Sequence, residues 1–163
     1  MENQFPYIVC DPDKCIGCVQ CEFACSMTKH KVFDPALSRI RNMRIEPVIA
    51  LSIACRKCAD PPCVLACPRN ALNQDPENGI ILIDNDMCDG CGWCVEACEF
   101  GAVLLNPETK KVEMCDMCAD LDEPQCVKYC QKDALYVGVP ETVAQKTRRE
   151  VVGKLLREIV GTQ

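Results

Sequence analysis

The apolar positions of this chain fall in short runs divided by polar turns, the pattern of many brief elements rather than a few long ones. Tyr7-Ile8-Val9-Cys10 predicts a short strand near the start. Arg39-Ile40-Arg41-Asn42-Met43-Arg44-Ile45-Glu46 alternates in part and predicts a strand, with Met43 and Ile45 on one face and a basic outer face opposite. Residues 48–54 are an apolar run. Residues 72–83 predict a hairpin that turns at Asp75-Pro76-Glu77-Asn78-Gly79. A second hairpin runs Val103-Leu104-Leu105, turns at Asn106-Pro107-Glu108 and returns through Lys111-Val112-Glu113-Met114, and residues 135–139 supply a last strand. Helical signals are fewer. Residues 26–32 finish a short helix that Phe33-Asp34-Pro35 breaks. Residues 141–160, after Pro140, place Val151, Val152, Leu155, Leu156, Ile159 and Val160 at helical spacing, with Arg148, Arg149, Lys154 and Arg157 on the other face.

Cysteines punctuate these elements in a repeated grouping. Cys15, Cys18, Cys21 and Cys25 form the first copy, and Cys55, Cys58, Cys63 and Cys67 the second. Cys88, Cys91, Cys94 and Cys98 form the third, and Cys115, Cys118, Cys126 and Cys130 the fourth. The first and third copies read C-x2-C-x2-C-x3-C, the bacterial iron–sulfur run in which the fourth cysteine ligates a different cluster from the first three. A short loop folds round a cubane cluster to supply three thiolates, and the fourth arrives from elsewhere. Structural zinc usually uses two C-x2-C knuckles about 15–20 residues apart, whereas here three thiols crowd each loop. Disulfides suit a secreted chain, but residues 1–14 lack an apolar signal-peptide region. Cys10, the seventeenth cysteine, stands on an apolar strand and reads as a buried structural residue. His30, between Lys29 and Lys31, reads first as a surface residue and second as a group that tunes a cluster.

Composition narrows the function. Only 5% of the 163 residues are aromatic, so an ordinary hydrocarbon core would be thin and ligation must supply much of the stability. The net charge of −6 argues against nucleic acid and for protein partners. No apolar run of about 20 residues and no twin-arginine start is visible, so a cytoplasmic location without a membrane span is expected. No Ser-His-Asp set, phosphate loop or G-x-G-x-x-G is present, and catalysis by this chain alone is not expected. Arg39, Arg41, Arg44, Arg56 and Lys57 stand where they would raise cluster potentials, and Asp84, Asp86, Asp89, Glu96 and Glu99 where they would lower them. Solvated surface is the competing reading of both sets.

Cys58-Ala59-Asp60-Pro61-Pro62-Cys63-Val64-Leu65-Ala66-Cys67-Pro68, between two compact copies and followed by a widened C-x2-C-x7-C-x3-C, resembles the four-cluster ferredoxin subunits of the dimethyl-sulfoxide-reductase type. More narrowly, Cys25-Ser26 and His30-Lys31-Val32-Phe33-Asp34-Pro35-Ala36-Leu37-Ser38-Arg39-Ile40-Arg41 are similar to the small subunits that accompany tungsten-containing aldehyde oxidoreductases and benzoyl-coenzyme A reductases. Ser26, Glu99 and Gln131 depart from the proline common after the last cysteine of a copy. The resemblance implies an α+β fold of two nested bacterial-ferredoxin-like domains: an outer one from residues 1–50 and 105–140, an inner one from 51–104, and a C-terminal amphipathic helix over 141–163. It implies four [4Fe-4S] clusters held by Cys15, Cys18, Cys21 with Cys130; Cys115, Cys118, Cys126 with Cys25; Cys55, Cys58, Cys63 with Cys98; and Cys88, Cys91, Cys94 with Cys67. Pairing of adjacent copies in sequence order fits the spacing equally well. The implied role is a relay of single electrons between a catalytic subunit, tungsten- or molybdenum-pterin in type, and a further redox subunit or ferredoxin. Related small subunits also serve carbon monoxide dehydrogenase, hydrogenase and formate-oxidising complexes, and a non-redox zinc module is the alternative of another class. The amphipathic tail is expected to dock on another subunit, either the catalytic partner or a second copy of this chain.

Overall fold

The first strand of the chain closes on the last. In the computed structural model, which describes residues 5–45 and 49–160, β1 (Tyr7–Cys10) pairs antiparallel with β8 (Leu135–Gly138), setting Tyr7 opposite Gly138 and Cys10 opposite Leu135. Three hairpins lie between them: β2 (Arg41–Ile45) with β3 (Ile49–Ile53), β4 (Leu72–Gln74) with β5 (Ile81–Ile83), and β6 (Leu104–Leu105) with β7 (Val112–Glu113). Each sheet has two strands, a size that is marginal alone and needs something to pack against. Helices follow the cysteine loops: α1 (Gln20–His30), α2 (Pro62–Leu65), α3 (Trp93–Glu96) and α4 (Gln125–Lys128), and α5 (Pro140–Val160) ends the chain. This is the α+β arrangement expected, with a C-terminal helix that begins one residue earlier, at Pro140, where a missing N–H costs nothing.

The two predicted turns are one device used twice. Asp75 Oδ1 accepts from the Glu77 N–H at 2.9 Å, and Asn106 Oδ1 accepts from the Glu108 N–H at 2.9 Å. Gly79 and Lys110 then take φ of 71° and 56° and close each turn onto the carbonyl of Asp75 or Asn106. The trailing halves of the second, third and fourth copies also share one turn. Asn70, Gly101 and Asp133 sit at φ 51°, 59° and 47°, three residues after Cys67, Cys98 and Cys130.

Two sequence expectations change. The strand predicted over residues 39–46 starts at Arg41, because the Ser38 hydroxyl accepts from the Ile40 N–H and donates to the Ile40 carbonyl at 2.7 Å, holding residues 38–40 out of the ladder. Its faces are also reversed: Met43 and Ile45 point to solvent, while Asn42 and Arg44 turn toward the first cysteine loop. Glu46 and Val48, at the predicted end of this strand and start of the next run, lie outside the described residues. The helix predicted through residue 32 ends at His30, where Lys31 takes φ 62° and its N–H caps the Met27 carbonyl.

Buried apolar residues form two groups. One joins Ala71, Leu72, Ile81, Val103, Val112 and Met114 with Cys63, Cys88 and Cys94. The other joins Ile8, Ile40, Ala54 and Leu135 with Cys21, Cys25 and Cys126. Residues from both ends of the chain therefore share one core, and the middle of the chain shares the other.

Candidate metal centres

All four C-x2-C loops share one left-handed position, and the fourth adds a second at Cys118, with φ 54°. The residue before the second cysteine has positive φ in each: Gly17 at 64°, Lys57 at 48°, Gly90 at 66° and Met117 at 56°. Left-handed residues in such loops turn successive N–H groups inward, a concavity suited to an anionic group. At Gly90 space as well as φ requires glycine, since a Cβ there would run into the Lys110 carbonyl oxygen. Gly90→Ala is expected to cost about 2 kcal/mol or more, from backbone strain plus the displaced Lys110 segment, read as a lower midpoint of thermal unfolding under anaerobic conditions.

The loops surround four groups of thiols. Cys15, Cys18, Cys21 and Cys130 line one hollow, and Cys55, Cys58, Cys63 and Cys98 line a second. Cys94 lies in the electrostatic reach of Cys67, Cys88 and Cys91, and Cys126 in that of Cys115, Cys25 and Cys118. Each group thus takes three thiols from one copy and one from another. Among the described residues no three His, Cys, Asp or Glu side chains converge on a site for a single ion. The thiols ring a space instead, and an all-thiol donor set of four fits an iron–sulfur cluster.

Trailing cysteines receive hydrogen bonds that the sequence reading missed. Cys67 Sγ accepts from the Ala71 N–H at 3.3 Å, Cys98 Sγ from Ala102 at 3.4 Å, and Cys130 Sγ from Ala134 at 3.3 Å. The signal was present as Cys-x-x-(Asn, Gly or Asp)-Ala, in which the left-handed residue aims the alanine N–H back at sulfur. Cys25 lies inside α1, where no such turn exists, and accepts from the Arg39 N–H at 3.3 Å instead.

The 4Fe-4S dicluster domain matches this chain over residues 47–140. The chain belongs to that family. It is 40% identical over 135 residues to the aliphatic sulfonate oxidoreductase, polyferredoxin-like subunit of Pyrococcus furiosus, covering 80% of this chain and 76% of that one. It is 34% identical over 152 residues to the thiosulfate reductase electron transfer subunit PhsB of Salmonella typhi, covering 85% and 77%. The probable anaerobic dimethyl sulfoxide reductase chain YnfG of Escherichia coli is 33% identical over 163 residues, covering 90% and 78%. The protein is a dicluster electron-transfer subunit related to the iron–sulfur subunits of the dimethyl sulfoxide reductase type.

Several charged residues of this dicluster subunit brace its loops. Arg39 donates to Glu113 at 3.0 Å and to Asp116 at 3.3 Å, Lys29 pairs with Asp116 at 2.9 Å, and His30 Nε2 meets Glu113 at 2.9 Å. This network ties α1 and the segment after it to the fourth cysteine loop. Burial would raise the Glu113 pKa, but the Asn106 amide, the Arg39 guanidinium and the neighbouring His30 ring outweigh it and hold the carboxyl below its ordinary range. His30 is accordingly a half-buried partner of Glu113 and not a free surface residue. Arg44 braces the first loop through the Gly17 carbonyl at 2.8 Å, and Arg41 holds the Pro35 carbonyl at 2.6 Å. Arg56 lies over the Tyr7 ring at 4.3 Å from its centre. Among the acidic residues, Asp84 caps its own turn and Asp89 pairs with Arg69 at 3.0 Å. Cys10 is half-buried, in electrostatic contact with Cys15 and Cys21, and burial pushes its thiol well above the ordinary range. Burial also raises Cys21 to about 11, and Cys63 and Cys115 to about 12. Burial and crowding disfavour the thiolate form here, and a positive group bound among these sulfurs would oppose that.

Proposed function

We propose that this subunit holds four [4Fe-4S] clusters, within two nested dicluster units, and relays single electrons between a catalytic subunit and a further redox subunit or ferredoxin. The ligand sets are Cys15, Cys18, Cys21 and Cys130; Cys25, Cys115, Cys118 and Cys126; Cys55, Cys58, Cys63 and Cys98; and Cys67, Cys88, Cys91 and Cys94. The observation that carries this reading is that the four thiol groups follow one another in a row. Cys126 of the second set feels Cys21 of the first, and Cys115 feels Cys55 of the third. Cys63 of the third shares a buried core with Cys88 and Cys94 of the last. Both ends of the row open to solvent, at Cys18 and Cys91, beside the exposed apolar residues Ile16 (54%) and Trp93 (63%). Such ends suit docking partners that deliver and remove electrons. The pairing of β1 with β8 and the shared core of Ile8, Ile40, Cys126 and Leu135 support an outer unit made from both ends of the chain, and Ala54 joins that core from the start of the inner segment.

Each cluster, when bound, accepts and releases one electron at a potential set by its surroundings. The chain's own part is to fix that setting. Backbone N–H groups of Ala71, Ala102, Ala134 and Arg39 point at sulfur and favour added negative charge there. The Ser52 hydroxyl at 3.3 Å from Cys21 Sγ and the Asn42 amide near Cys15 do the same at the first set. Buried Leu72, Ile81, Val103 and Met114 keep water from the inner sets. Anaerobic titration followed by electron paramagnetic resonance tests the relay: four one-electron centres are expected, and stoichiometric zinc in colourless protein would reject it.

The relatives' names as oxidoreductase and thiosulfate reductase subunits support a catalytic oxidoreductase partner, and its tungsten- or molybdenum-pterin class is our proposal from the resemblance of the cysteine pattern. Among the described residues no helix is long and apolar enough to cross a membrane, and we place the working complex in the cytoplasm. The α5 helix is where we place assembly. Val151, Val152, Leu155, Leu156 and Ile159 are exposed along it, while Lys154 and Lys146 tie it to Asp13 and Asp11. The side chain of Val160 lies outside the described residues. A stripe of that size left in water favours docking on a catalytic partner or a second copy. Truncation after Pro140 is expected to leave the iron content unchanged and to reduce the complex size by light scattering; lost iron with unchanged size would make α5 an internal brace.

A further inference from the structure

Lys57 occupies a position that glycine fills elsewhere in this molecule. The residue before the second cysteine of each loop is left-handed, and in the first and third copies it is Gly17 and Gly90. In the second copy Lys57 holds φ 48° with a Cβ, a conformation that costs about 1–2 kcal/mol for an L residue. The side chain does not escape to solvent afterwards. Lys57 is 3% exposed, and its Nζ donates to the Asn78 carbonyl at 3.0 Å. Burial lowers the ammonium's pKa from its ordinary value, and Cys115, Cys55, Asp116 and Asp75 oppose that by favouring the charged form. Cys55 belongs to the set with Cys58, Cys63 and Cys98, and Cys115 to the set with Cys25, Cys118 and Cys126. Lys57 lies in the loop between Cys55 and Cys58, strained and desolvated, and its charge acts on a thiol of each middle set. Met117 holds the same conformation in the fourth loop, so what sets Lys57 apart is a buried charge at that position.

We infer that Lys57 is a positioning residue for the central electron step: its fixed positive charge favours the reduced form of the groups bound on either side of it. The inference rests on the four-cluster reading above. The step is one electron passing between neighbouring clusters, with no bond made or broken and no proton carried. An added electron is one added negative charge, and a buried cation close by lowers its energy far more than a solvated one would. Neither outer set has this help from Lys57. The middle of the row then holds electrons more readily than its ends.

Four forms of the full chain test this: wild type, K57M, K57R and K57G. K57M removes the charge at similar volume, K57R keeps it, and K57G removes it while relieving the backbone as in the first and third loops. Iron and acid-labile sulfide are measured first, then each cluster's reduced-to-oxidised ratio at fixed poised potential by electron paramagnetic resonance. Full iron is expected in all four. In K57M and K57G the ratio for the two middle clusters should fall on the order of tenfold, the effect of one buried unit charge, with the end clusters unmoved and K57R near wild type. Wild-type ratios in either charge-free variant overturn the inference. So does iron loss in both, or a K57R shift equal to that of K57M, each of which makes Lys57 a structural brace. Wild-type protein without four clusters would instead fail the reading on which the inference rests, before any variant is compared.

Discussion

Removal of iron from the anaerobically purified protein is expected to abolish its fold, with loss of far-ultraviolet dichroism, protease resistance and cooperative melting together. The reason lies in what fills the interior. Half of the buried apolar positions among the described residues are cysteine or alanine, and no sheet has more than two strands. Buried leucine or isoleucine contributes about 1.5–3 kcal/mol each, alanine far less, while ordering each residue costs about 1–2 kcal/mol of backbone entropy. So few large side chains cannot offset that cost over a chain of this length. Ligation supplies the difference, as in small metal domains whose binding energy is folding energy. Burial in the fold raises the thiols, to about 12 at Cys63 and Cys115, so folding without a cluster would bury crowded thiols with nothing between them. About sixteen irons per chain are expected before stripping, from four clusters of four. Retention of a cooperative melt in protein shown to hold no iron would overturn this account of stability.

Cys25→Ser is expected to damage the centre held by the fourth copy and to leave the first-copy centre intact. Cys25 follows Cys21 by one helical turn on α1, yet its sulfur lies in the reach of Cys115, Cys118 and Cys126. Iron should fall by about a quarter, or by less if the loss converts the cluster to a three-iron form. A double-variant comparison separates the possibilities. If Cys25 and Cys115 serve one centre, C25S with C115S loses little more iron than C115S alone, whereas C25S with C15S loses two centres. The reverse pattern, with C25S additive to C115S and not to C15S, would return Cys25 to its own loop. Cys130→Ser should behave reciprocally and affect the centre of Cys15, Cys18 and Cys21, whose hollow it lines.

Short elements were legible because their signals are local. The two turns at residues 75–79 and 106–110 were readable from Asp or Asn followed by Pro-Glu, since the capping oxygen bonds the N–H two residues on whatever the rest of the chain does. The strand at Tyr7–Cys10 was readable for the same reason. The strand after Ser38 was not, because its faces depend on what lies above it. Alternation shows that Met43 and Arg44 point opposite ways, but only the neighbouring first loop makes the arginine face the inner one. His30 escaped for a like reason: Glu113, 83 residues away, gives it its partner.

The sequence alone determined the chemistry of this protein. Three thiols within each short loop, four times over, restrict what can bind, because loop reach is a matter of a few residues and sulfur is the donor. The family follows from the same residues, and so does the single-electron class of reaction. Tertiary structure decided the partnerships. Spacing cannot say which loop a trailing cysteine faces, since a helix turn carries its sulfur away from its own loop toward whatever packs there. Antiparallel pairing of β1 with β8 brings Cys130 to the hollow of Cys15, Cys18 and Cys21, and the Lys29, Arg39, Glu113 and Asp116 network holds α1 against the fourth loop. The burial of Lys57 is likewise a product of packing. Distance in space sets an electrostatic interaction, and distance along the chain leaves it unspecified.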